Sequence, residues 1–228
     1  MLLAILFGCA TPTTDTGDES ATSAGPEVWV VMDWADGEPA VALDSGYVID
    51  FSVQLLPCTD VSWSPGSLLV GTAQAGHGLV GADALRSLRA PRVASLTERI
   101  ASPLGHLAPD AGRYCEVFWL MSFTTAAYDT AGLPGEVDML GESLSVYAEG
   151  PGLLAAASTG RGARLTIVDQ GGQPAPIEIE PGGDGEVLRI VRDASALLAG
   201  VDLSGDSDEV GAAMLDNLTA SAQAVRDH

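Results

Sequence analysis

Apolar and polar side chains alternate most strictly over residues 47–56, where Ile49, Phe51, Val53 and Leu55 interleave with Asp50, Ser52 and Gln54. A period of two predicts a half-buried strand with the polar trio on its second face. The same period recurs over 115–125, with Cys115, Val117, Trp119, Met121 and Phe123 on one face. Shorter alternations predict strands over 143–148, 164–169, 176–180 and 186–192. The glycine-rich stretch 181–185 between the last two reads as a hairpin turn. Residues 28–34 are apolar nearly throughout, which suits a central strand or one covered on both faces.

Helical periodicity is sparser. Two short candidates, 83–89 and 94–100, are split by Pro91, and residues 204–225 carry Val210, Met214, Leu218 and Val225 at helical spacing. Residues 193–200 read as one short helix with Asp193 as cap and Gly200 as stop. The expected class is mainly β: an antiparallel β-sandwich with a short helical insertion between about 80 and 105 and a C-terminal helix. Leu107 to Tyr114 places a proline turn and a glycine before a tyrosine that enters a strand. It resembles the tyrosine corner of immunoglobulin-like sandwiches, which implies that the phenol bonds back to upstream backbone. Here, however, Tyr114 is adjacent to Cys115, whereas immunoglobulin domains space the two by one residue more.

Charge narrows the partners. The 228 residues carry 31 acidic and 10 basic side chains, a formal net charge of -21, and every basic residue is arginine. A phosphate backbone needs clustered cations, so no nucleic-acid partner is expected. No stretch after the N-terminus approaches the roughly 18 apolar residues of a membrane span.

The N-terminus supplies the targeting signal. Leu6-Phe7-Gly8-Cys9 closes an apolar run and resembles the lipobox of bacterial lipoproteins. The resemblance implies a signal peptide over 1–8, a palmitate-type acyl anchor on Cys9, and a disordered polar linker through residue 26. It also implies a place in the periplasm or at the cell surface; the length of 27–228, enough for one sizeable core, is read as a single β-sandwich domain. The linker is rich in Thr, Ser, Asp and Gly and has nothing apolar to repay the entropy of ordering. Ala10 follows the cysteine where inner-membrane lipoproteins commonly carry aspartate, which favours the cell outer membrane.

With Cys9 acylated, Cys58 and Cys115 form an even pair in an oxidising compartment and are expected to bond. Two separate buried thiols are the alternative. A zinc-type thiolate site has no C-x-x-C spacing to start from.

Candidate chemistry is thin. His77 and His106 both sit beside glycine, which lets a metal or ligand approach the backbone, so a two-histidine metal site is one reading and solvated loops are the other. Met121 and Trp119 could complete a soft copper site, but they fall on the predicted core face. Residues 202–209 alternate oxygen ligands, yet the glycine stands fourth rather than sixth as an EF-hand requires, so helix capping is the simpler account.

The order Leu56-Pro57-Cys58, Ala75-Gly76-His77, Gly112-Arg113-Tyr114-Cys115, Leu197-Leu198-Ala199-Gly200-Val201-Asp202 is similar to that of periplasmic proteins of the methanobactin-partner type. The resemblance covers most of 54–218 and implies copper binding, with His77 the one site residue that carries over. No hydrolase elbow, zinc-protease helix, phosphate loop or lysine nucleophile occurs. The reading is therefore a lipid-anchored cell-envelope binding protein, for copper or a small ligand, and not an enzyme. A structural or adhesive surface lipoprotein is the alternative, and a hydrolase using His77 or His106 stands third.

Overall fold

The computed structural model describes residues 26–58, 85–123, 139–150 and 152–227. The chain is mainly β, with strands β1 (Val28–Trp34), β2 (Ser45–Pro57), β3 (Ser87–Ser95), β4 (Ser102–Leu107), β5 (Gly112–Met121) and β6 (Leu144–Ala148). These are followed by β7 (Leu153–Ala157), β8 (Arg161–Val168), β9 (Ile177–Ile179), β10 (Glu186–Arg192), helix α1 (Ser207–Ser221) and β11 (Gln223–Asp227).

The eleven described strands join one mixed sheet, ordered β4-β1-β10-β11-β8-β5-β2-β6-β7, with β3 on β2 and β9 on β5. β1 runs parallel to β10, and β11 parallel to β8. That mixed pairing corrects the expectation of a purely antiparallel arrangement. The sheet curls until β4 and β3 come together: the Ala108 N–H donates to the Leu85 carbonyl at 3.0 Å, and Leu88 packs over Gly105. The inward faces then enclose one core that includes Val30, Met32, Val53, Leu55, Trp119 and Ile190, and Met214, Leu215 and Leu218 of α1 join it.

Strand β2 is the junction of the fold. β3 lies along one of its edges, while β6 and β5 share the other, β6 against Ser45–Val48 and β5 against Asp50–Pro57. The handover falls at Ile49, whose N–H donates to the Ser143 carbonyl and whose carbonyl accepts from the Ser122 N–H. A bulge between Asp50 and Ser52 reverses the alternation there. Val53 and Leu55 face the core after it, as expected, whereas before it Val48 and Asp50 are buried together with Ile49, which is 1% exposed but lies outside the main core cluster.

Other expectations change in detail. Of the expected helical insertion, the described residues after 84 show helix only at Leu85; the rest, through residue 105, forms β3, a tight turn and β4. Pro91 lies opposite the β2 bulge, where its missing N–H breaks no regular ladder pair. The terminal helix stops at Ser221, and Val225 belongs to β11. β9 and β10 do not form a hairpin, because β9 pairs with β5 while β10 enters between β1 and β11. Asp193 does cap a short turn, a 3-10 helix over Ala194–Ala196, and Gly200 ends the region at φ 69°.

Strand β7 has an unusual composition, Leu-Leu-Ala-Ala-Ala, which favours helix over strand. Its small side chains let α1 lie directly on it. Ser207 Oγ accepts the Ala156 N–H at 3.0 Å, and Asp208 Oδ1 accepts the Ser158 N–H at 3.1 Å. The helix begins here because Asp206 accepts from the N–H groups of Asp208 and Glu209. No described helix is long and apolar enough to cross a membrane.

Candidate functional site

The most polar feature of the interior grows from the β2 bulge. Asp50 is 1% exposed and Arg192, at the end of β10, is 0% exposed. Arg192 Nη1 lies 3.0 Å from Asp50 Oδ1 and 2.9 Å from Oδ2, and the Trp119 indole N–H donates to Oδ1 at 3.2 Å. The guanidinium carbon stands 3.9 Å above the Trp34 ring, a cation–π contact inside the core. Four strands, β1, β2, β5 and β10, therefore supply one cluster.

Burial dominates its electrostatics. Loss of water pushes the Asp50 carboxyl above its usual range, against the pull of Arg192 and the Trp119 bond. The same loss pulls Arg192 below its usual range, against the attraction of Asp50. Each charge is tolerable because the other is present. Among the described residues, Arg192 Nε and Nη2 and Trp34 Nε1 have no hydrogen-bond acceptor. Sequence reading missed this cluster. The alternation over 47–56 placed Asp50 with the polar trio, and nothing local ties it to an arginine 142 residues away.

The predicted site residues that are described, His106, Cys58 and Cys115, lie elsewhere. His106, on β4, is exposed and its ring meets that of Trp29 at a tilt of 46° and a centroid distance of 5.3 Å, with its Nε2 3.8 Å from Glu27 Oε1. Trp29 is 45% exposed, so the outer face of β1 is open where an apolar run suggested cover. His77 and Cys9 lie outside the described residues. Among the described residues no group of three His, Cys, Asp or Glu side chains is placed to hold a metal ion. Trp119 and Met121 are fully buried core residues.

Cys58 and Cys115 form the expected disulfide, with Cα atoms 4.8 Å apart. It ties the end of β2 to β5, and the Cys58 N–H donates to the Arg113 carbonyl at 2.8 Å beside it. One residue earlier, Tyr114 turns inward and its hydroxyl donates to the Asp110 carbonyl at 3.0 Å, the bond a tyrosine corner makes. Burial raises this phenol above its ordinary range, and the Asp110 charge adds to the shift.

The acidic stretch before α1 is occupied with its own backbone. Asp202 accepts from the Ser204 N–H and hydroxyl, bonds that hold its carboxyl below the ordinary range, and Asp206 caps the helix. A shallow groove of about 520 Å³ opens where β8 parts from β11, lined by Ala163, Leu165, Thr166, Thr219 and Gln223 among others. Comparison of the chain with known protein families, with characterised proteins and with solved structures finds no match.

Proposed function

We propose that the chain is an exported lipoprotein, held at the cell envelope through an acyl group on Cys9, whose β-domain binds a ligand or partner rather than catalysing a reaction. One observation carries this reading: Cys58 and Cys115 bond to each other, which leaves Cys9 as the odd one of the three cysteines. A disulfide persists where thiols are oxidised, outside the cytoplasm, and a cysteine following Leu6-Phe7-Gly8 is the residue that lipoprotein processing modifies. Several chains on one cysteine hold a protein on a bilayer, and the acidic spacer through residue 26 would stand the domain off an anionic surface.

The resemblance to copper-handling periplasmic proteins favours a metal as ligand, with His77 and His106 as its candidate donors. The adhesive alternative draws on exposed apolar side chains, Trp29 on β1 and Leu154 on β7, which is 66% exposed.

Expression of the full chain in a bacterium fed labelled palmitate tests the anchor. Label and membrane association that both disappear in Cys9→Ser support it, and an unlabelled wild-type chain overturns it. Equilibrium dialysis against copper tests the ligand. Retention of about one copper per chain, lost in His77→Ala, supports the metal, and no retention leaves the adhesive reading in its place.

A further inference from the structure

The cluster beneath the β2 bulge is short of acceptors. Arg192 uses only Nη1 on Asp50, although the guanidinium presents five N–H bonds over three nitrogens. Its Nε and Nη2 and the neighbouring Trp34 Nε1 are buried donors without an acceptor among the described residues. Each such donor costs about 1–3 kcal/mol when nothing replaces the water it lost. Three together would consume a large share of the roughly 5–15 kcal/mol that holds a domain folded. Buried polar groups in folded proteins overwhelmingly find partners, so this concentration calls for one.

We propose that the interior beside Arg192 and Trp34 is a binding site for a small neutral hydrogen-bond acceptor, water in the first instance, enclosed by the curled sheet.

Charge decides against an anion. Asp50 already balances Arg192, and a second negative charge would stand uncompensated in a region closed to solvent, at several kcal/mol per ion. Water also returns what it takes. It accepts from the guanidinium and the indole and can donate to Asp50 Oδ2, which receives Arg192 alone, whereas Oδ1 receives both Arg192 and Trp119. About three hydrogen bonds is the usual complement of a buried water. The site would thus be a fixed part of the fold that completes the ion pair.

The native full chain suffices for the test. In a 15N-labelled sample, nuclear Overhauser and rotating-frame cross-peaks from water to the Arg192 Nε–H and the Trp34 Nε1–H are expected with opposite signs, as a long-lived bound water gives. Absence of both cross-peaks overturns the proposal, since the donors then bond protein acceptors. Crystals soaked in bromide provide the second arm. An anomalous peak within hydrogen-bond reach of Arg192 Nη2 makes this an anion site and overturns the neutral acceptor, and no peak there agrees with it.

Discussion

Gly211 of α1 sits so close to the backbone of Ala156 in β7 that a methyl carbon built on it would lie 2.4 Å from the Ala156 carbonyl oxygen. No side chain can move aside to relieve that contact. Helix propensity alone would favour alanine at position 211 by about 1 kcal/mol. Overpacking against fixed backbone costs about 1–3 kcal/mol, and at this separation it wins. Gly211→Ala is therefore expected to destabilise the chain by about 2 kcal/mol in urea unfolding. Unchanged or increased stability would mean that the helix does not seat on the strand.

The Asp50–Arg192 pair should behave asymmetrically when broken. Asp50→Leu leaves a buried guanidinium without its counter-charge and is expected to cost about 3–5 kcal/mol. Replacing both, Asp50→Leu with Arg192→Met, removes the desolvation penalty as well and should recover most of that loss. A double-mutant cycle at neutral pH measures the coupling. In Arg192→Met alone, Asp50 keeps the burial that raises its pKa and loses the attraction that opposed it. A raised carboxyl pKa contributes stability that is complete below the unfolded value and lost as pH rises through the folded one. Arg192→Met should accordingly be least harmful in acid, and a defect that grows toward low pH would contradict the assignment.

Reduction of the Cys58–Cys115 bond should lower stability by about 4 kcal/mol, from the chain-entropy cost of a loop closed over a separation of 57 residues. Cys58→Ser with Cys115→Ser should show the same loss, and the wild-type midpoint in urea should fall to the variant's when reductant is added.

Tyr114 predicts a alkaline effect. Its phenol is raised above the ordinary value of 10.0, so the folded chain holds this proton more tightly than the unfolded chain does. That part of the stability is complete below pH 10 and declines as pH climbs through the folded pKa. Tyr114→Phe removes the bond to Asp110, at about 1 kcal/mol near neutral pH, and should flatten the alkaline decline. Parallel unfolding series between pH 8 and 11 compare the two slopes.

Legibility from sequence followed the range of the interaction. The strands with clean alternation, β2 and β5, form where their side chains placed them, although β5 stops at Met121 and leaves Phe123 exposed, and the even cysteine pair bonds as its number suggested. The Tyr114 bond was readable because donor and acceptor are four residues apart. Asp50 was not readable, because a single inserted residue at the bulge exchanges the faces of a strand and leaves the local pattern looking intact. β7 was hidden by alanines that make sense only once α1 is laid on them, and β3 by a proline tolerated only opposite that bulge. Arg192 reads locally as the polar end of an apolar strand, and its meaning comes from β2, on the far side of the core.

The contacts of Ser207 and Asp208 with β7 also bear on how this chain behaves in company. An uncovered strand at the margin of a sheet offers its amides to any neighbour, and copies that meet at such margins can stack into fibres. By taking up the amides of Ala156 and Ser158, the first turn of the helix leaves an incoming strand little to grip at that margin. Loss of this cover, through Ser207→Ala with Asp208→Ala, would be felt as a tendency to polymerise before any loss of fold.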